Sequence, residues 1–97
     1  MKTLDEIRQD LRDIGYYYSR KETFDDGVIG HCSIAKKVSK YNKVASTAAP
    51  RLYDIYVSLH VKNTTQAALS RDLGYTPQYI QMLNKELLEY IQTELVS

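Results

Sequence analysis

The chain has 97 residues, an apolar fraction of 43% and a formal net charge of only +1. That length allows one domain with a modest core, and the apolar fraction argues against a disordered chain. The single cysteine, Cys32, excludes an internal disulfide and a cysteine-built zinc site. Because no apolar run is long enough to span a membrane and the N-terminus lacks an apolar signal core, we expect a cytoplasmic protein without a membrane partner.

The charges are unevenly distributed. Residues 1–30 carry five basic and seven acidic groups, whereas residues 31–65 carry six basic groups and one acidic group. Residues 66–97 carry two basic and four acidic groups. Positive charge is therefore concentrated in the middle third of the chain.

The first predicted element is an amphipathic helix from residue 4 to about residue 21. Thr3 and Glu6 have the spacing of a capping box. The apolar positions at helical spacing are Leu4, Ile7, Leu11, Ile14 and Tyr18. Gly15 is expected to weaken the middle of this helix by about 1 kcal/mol. Residues 22–32, which are rich in aspartate and glycine, predict a loop.

A second helix is predicted to start at a Ser33 cap and to end or kink before Pro50. Its apolar stripe consists of Ile34, Val38, Tyr41 and Ala45. Four lysines fall mostly on the other side, namely Lys36, Lys37, Lys40 and Lys43. Such a row is either a solvated helix face or a surface that holds DNA phosphates, since each phosphate contact releases counterions.

A third helix is predicted from about Pro50 to Lys62–Asn63. Its inner face consists of Leu52, Ile55, Tyr56 and Leu59. His60 lies near its end, where we expect a structural role. His31 and His60 are the only histidines, and neither has the spacing of a metal site or of a nucleophile–base pair. We therefore expect no enzymatic activity, no cofactor and no metal.

Residues 65–88 contain two short helical patterns joined by a tight turn. Thr64 or Thr65 can cap the first pattern. Its largely apolar body consists of Ala67, Ala68, Leu69 and Leu73. Gly74 follows where a chain leaving a helix needs positive φ, and Thr76 can cap the next helix with Pro77 in its first position.

This segment resembles the helix-turn-helix of bacterial and phage DNA-binding proteins. The matching positions around Gly74 are Gln66 eight before it, Ser70 four before it, and Ile80 and Leu83 six and nine after it. The alternative is an ordinary helical hairpin with a glycine cap. We predict an all-α fold: a single domain over residues 1–97, built as a compact bundle of about five helices with a C-terminal helix-turn-helix at 65–88.

The order of elements is also similar to small phage or prophage regulators related to region 4 of sigma factors, the ArpU- and RinA-like group. The Leu-x-x-Ile-Tyr pattern of residues 52–56, with Leu59, matches the helix before the motif in that group. The resemblance implies regulation of transcription, binding to double-stranded DNA and contact with RNA polymerase.

If the helix beginning at Pro77 enters the major groove, its exposed side chains would meet base edges. The predicted base-contacting residues are Thr76, Gln78, Gln81, Met82 and Lys85. The predicted contacts to the DNA backbone are Gln66, Arg71 and Tyr79, together with Lys36, Lys37, Lys40 and Lys43. A solvated helix face has the same polar composition, so both interpretations stay open.

The last helix is predicted to run to about Leu95, with an apolar stripe of Ile80, Leu83, Leu87 and Ile91. That stripe either packs against the N-terminal helix or forms the seam of a homodimer. The acidic residues around the motif predict weak DNA binding by one copy alone. The alternative function is a helical adaptor that binds RNA polymerase or another protein rather than DNA.

Overall fold

The computed structural model describes residues 2–20 and 31–96, and this part of the chain forms five α-helices and no strands. They are α1 (Leu4–Ser19), α2 (His31–Ser46), α3 (Pro50–Tyr56), α4 (Gln66–Leu73) and α5 (Pro77–Val96). The predicted all-α class with about five helices is confirmed. None of the helices described is long and apolar enough to cross a membrane.

Helix α1 begins at the predicted capping box. The Glu6 amide donates to Thr3 Oγ1 at 3.1 Å, and the Thr3 amide donates to Glu6 Oε1 at 3.0 Å. The helix ends at Ser19, slightly earlier than predicted, and the Arg20 amide closes it by donating to the Tyr16 carbonyl. Residues 21–30, which include most of the predicted loop, lie outside the described residues.

Helix α2 is longer than predicted at its start. His31 and Cys32 are already helical, so the prediction that Ser33 caps this helix from outside is wrong. Histidine and cysteine are both tolerated inside a helix, so the sequence contains no signal that would keep the helix from starting before Ser33. Val38, Tyr41 and Ala45 are buried as the stripe predicted. The helix ends at Ser46, and Pro50 occupies the first turn of α3.

The predicted third helix changes geometry after Tyr56. Residues Val57–Val61 form a π-helical turn, in which the Lys62 amide donates to the Val57 carbonyl at 2.8 Å. Asn63 then adopts a positive φ of 56°, a conformation that asparagine tolerates better than most residues. The wider turn and the left-handed residue together end this segment.

Gly15 proves to be a point of close approach between α1 and the end of the π-helical turn. The Asn63 side chain donates through Nδ2 to the Gly15 carbonyl at 3.1 Å. A Cβ on Gly15 would lie only 2.7 Å from Asn63 Oδ1, which is closer than such contacts occur. The glycine therefore has a packing role, in addition to the expected cost in helix stability.

The connection between α4 and α5 has the predicted local structure. Thr65 Oγ1 accepts the Ala68 amide at 3.1 Å, and Thr76 Oγ1 accepts the Tyr79 amide at 3.1 Å. Gly74 is left-handed, with φ of 72°. Of the predicted apolar body of α4, only Leu69 is buried, whereas Ala67 is exposed and Leu73 is 48% exposed at the end of the helix.

Helix α5 is the central element and packs against all four other helices. Five of its apolar residues are each at most 1% exposed, namely Ile80, Leu83, Leu87, Leu88 and Ile91. A dimer seam would need this stripe on the surface. The other helices of the same chain instead cover the stripe, as expected if it packs within one chain rather than between two copies.

Candidate nucleic-acid interface

The first turns of α5 expose one polar side. Gln78, Gln81, Met82 and Lys85 are all exposed, Met82 by 47% of its surface. At about 100° per residue they share the side opposite the buried stripe. Glu89 continues the same side one turn beyond Lys85 and is also exposed. The uncharged and basic residues therefore come first along this face, and the exposed acids Glu86, at its edge, and Glu89 follow them.

Thr76 stands at the tip of this face and is exposed, but its hydroxyl oxygen already serves the helix by accepting the Tyr79 amide. Of the other predicted backbone contacts on this side of the chain, Arg71 is exposed and Gln66 is half-buried. Thr76 thus both caps α5 and lies at the tip of its exposed face.

Tyr79 connects the tip of α5 to helix α3. Its hydroxyl accepts a hydrogen bond from Arg51 Nη1 at 3.3 Å, and its ring meets Tyr75 edge-on with centroids 4.9 Å apart. Arg51 is therefore beside the start of α5, a position that the sequence did not indicate. The contact leaves the remaining donors of the guanidinium available.

The row of lysines on α2 divides into two kinds. Lys36, Lys40 and Lys43 are exposed, as a solvated or phosphate-binding face would require. Lys37 differs, because its Nζ lies 2.9 Å from Asp13 Oδ2 and 3.1 Å from Asp10 Oδ1. The hydrogen bond to Asp13, with the one to Asp10, raises the pKa of Lys37 despite partial burial. Lys37 thus joins α2 to α1 and is not a free cation.

A narrow groove lies on the other flank of α1 and borders α5. It has a volume of about 340 Å³ and is lined by Arg8, Leu11, Arg12, Gly15, Leu59, His60, Asn63, Asn84 and Leu88. No carboxylate lines this groove among the described residues. The sequence did not single out Arg8 and Arg12, although their spacing of four residues already placed both on one helix face.

His60 is one of the residues that line this groove. Its Nε2 lies 2.9 Å from Asn84 Oδ1, which joins the π-helical turn to α5. Burial lowers the pKa of His60, and the contact with Asn84 only partly opposes that effect. Arg8 and Arg12 line the same groove. The expected structural role agrees with this placement.

The lowered pKa of His60 predicts that stability falls as the pH drops from 7 to 5. The unfolded histidine takes up a proton near pH 6.5, whereas the folded one stays neutral until a lower pH. The stability that the neutral His60 contributes is therefore fully present above pH 6.5 and declines below it. Urea unfolding at half-unit pH steps should show this decline in the wild type and in His31→Gln. His60→Gln should be nearly flat, and an equal decline in that variant would contradict the assignment.

Comparison of the chain with family models, with curated proteins and with solved structures gave no match.

Proposed function

We propose that the chain is a DNA-binding regulator of transcription that reads the major groove of double-stranded DNA with the helix beginning at Pro77. The observation that supports this most is the division of α5 into two sides. One side is entirely in the core, and the other presents Gln78, Gln81, Met82 and Lys85 to solvent. Because the core fixes the helix, the backbone positions that carry these exposed side chains are set before any ligand arrives.

These side chains have the chemistry for contact with base edges. Gln78 and Gln81 each carry a donor and an acceptor, which can pair with the N6 and N7 positions of adenine. Met82 can contact a thymine methyl group, and Lys85 can reach a guanine edge or a phosphate. Each well-formed paired contact discriminates against a wrong base by about 1–3 kcal/mol.

The same face limits how much of α5 can approach DNA. Gln78 and Lys85 are seven residues apart, or about 10 Å along the helix axis, and a helix with a diameter of about 10–12 Å fits a groove about 12 Å wide. Glu89 follows on this side and would repel phosphates. The N-terminal turns therefore enter the groove, and the rest of the helix serves the core.

The connection before α5 also favours this function. Thr65, Gly74, Thr76 and Pro77 give two capped helices with a left-handed glycine between them, as in the DNA-binding family that the segment resembles. The further similarity to phage regulators with a sigma region-4-like motif implies a role in transcription and contact with RNA polymerase. Regulation of transcription and contact with RNA polymerase are therefore both part of the proposed function.

Selection of bound sequences from random duplex DNA tests the proposed function. The wild type should enrich a short motif, and Gln78→Ala/Gln81→Ala should lose it while remaining folded by circular dichroism. Ser39→Ala, which changes an exposed polar residue on α2, should recover the wild-type motif. A folded wild-type protein that enriches no sequence would refute DNA reading.

A second candidate function is protein binding, and an exposed groove beside α3 favours it. The groove has a volume of about 610 Å³ and borders Tyr53, Leu73 and Tyr75, which are 40%, 48% and 38% exposed. Aromatic residues of this kind are enriched where proteins meet. RNA polymerase or another protein would then be the partner, and the selection experiment would return no motif.

A further inference from the structure

Helix α1 has two chemically different flanks. Asp10 and Asp13 lie on the flank that faces α2, where both contact Lys37. At about 100° per residue, Arg8 and Arg12 lie on roughly the opposite side of the helix. They share that side with Gly15, which contacts Asn63. Asp10 and Asp13 are therefore turned away from the groove that the two arginines line, whereas the exposed Asp5 contacts Arg8.

The two guanidinium groups keep most of their donors available. Arg8 Nη1 lies 2.9 Å from Asp5 Oδ1, but the Asp5 side chain is 92% exposed, so water competes with this ion pair. Arg12 Nη1 donates to Gln9 Oε1 at a long 3.4 Å, and no ion pair of Arg12 occurs among the described residues. A guanidinium has five donors, so each arginine can still bind an oxyanion.

The groove opens beside the exposed face of α5. Asn84 lies one turn after Gln81 and directly before Lys85, and it lines the groove. Its Oδ1 contacts His60, so the hydrogen-bonding atom that this contact leaves unused in the Asn84 side chain is the amide donor Nδ2. A ligand that runs along the edge of the reading face would meet this amide and both arginines.

We infer that Arg8 and Arg12 bind phosphates of the DNA strand that borders α5, an inference that rests on the proposed function. Two cations, two neutral amides and an uncharged imidazole favour an oxyanion, because no carboxylate lines the groove in the described part of the chain. The lysines of α2 lie toward the opposite flank of α1, where Lys36, Lys37 and Lys40 border Asp10. The phosphate contacts therefore come from the arginines of α1, and the exposed lysines of α2 stay in solvent.

The salt dependence of DNA binding tests this inference with matched charge changes. Affinity for the selected duplex should be measured between 50 and 200 mM salt for the wild type, Arg8→Gln/Arg12→Gln and Lys36→Gln/Lys40→Gln. Each lost phosphate contact reduces the slope of log affinity against log salt by about 0.9. The arginine pair should therefore lower the slope by about 1.8 without changing the preferred bases. The lysine pair, which removes the same charge, should leave the slope unchanged.

Further variants and a second ligand separate the outcomes. Arg8→Lys/Arg12→Lys should keep most of the slope, and circular dichroism should show that all variants are folded. An unchanged slope in Arg8→Gln/Arg12→Gln overturns the inference while leaving DNA reading intact. A wild type that binds no duplex overturns the proposed function and this inference with it. Inorganic phosphate that shifts the Asn84 side-chain amide resonances, with an unchanged DNA slope, would assign the groove to a free phosphate instead.

Discussion

Leu87→Asp is expected to unfold the protein rather than to separate a dimer. Leu87 is completely buried at the centre of the stripe that α5 presents to the other helices. A carboxylate there would lose its hydration without gaining a partner, which costs several kcal/mol. Domains of this size have stabilities of about 5–15 kcal/mol, so the substitution removes much or all of the stability. Far-UV circular dichroism and urea unfolding measure the loss.

Met82→Asp is the matched control for this prediction. It adds the same charge to the same helix, but Met82 is 47% exposed and lies on the other side. We expect a change of about 0.5 kcal/mol in the free energy of unfolding. A Leu87→Asp protein that stays folded and has half the wild-type mass by light scattering would show that the stripe forms a dimer seam after all.

The local features of the fold could be predicted because their information lies within four residues. The capping box of Thr3 and Glu6, the threonine caps of α4 and α5, and the left-handed Gly74 each depend on neighbours in the chain. The buried stripe of α5 was equally accessible, since helical spacing determines which residues share a side. The exposed face that carries the proposed function follows from the same spacing.

Features that depend on pairing between distant segments could not be predicted. Lys37 has the same local pattern as its neighbours on α2, and only the approach of α1 brings it to Asp13, 24 positions earlier. Gly15 likewise acquires its packing role from Asn63, which lies 48 positions away. The arginine-lined groove has the same origin, because α1, the π-helical turn and α5 each contribute one wall.

Two predictions, the start of α2 and a regular helix through Val57–Val61, were inaccurate because the apolar pattern carries little information in these segments. The start of α2 lacks a strong capping signal, so the nearest serine was assigned a role that the longer helix does not need. The π-helical turn at Val57–Val61 shifts the hydrogen bonds by one residue, which no apolar spacing over five residues can reveal.

Asp10 is a buried charged residue at the contact between α1 and α2. The residue is 7% exposed, and it accepts a hydrogen bond from the Tyr41 hydroxyl. Lys2 Nζ lies 2.8 Å away and Lys37 Nζ 3.1 Å away. Burial alone would raise the pKa of Asp10, but the hydrogen bonds from Lys2, Tyr41 and Lys37 outweigh it and hold the pKa below its usual value. Burial and the nearby carboxylate strongly raise the pKa of Tyr41, so its hydroxyl stays a donor.

Asp10→Asn is therefore expected to lower the free energy of unfolding by about 2 kcal/mol at pH 7, since hydrogen bonds to a charged group contribute about 1.5–3 kcal/mol. The depressed pKa means that the unfolded chain takes up this proton first. The contribution is complete above the ordinary value of 3.8 and is lost as the pH falls through the folded value. Urea unfolding from pH 7 to pH 2 should show the difference between wild type and variant shrinking below about pH 4. Asp5→Asn, at a side chain that is 92% exposed, should change stability little, and an equal loss there would mean that general charge explains the effect.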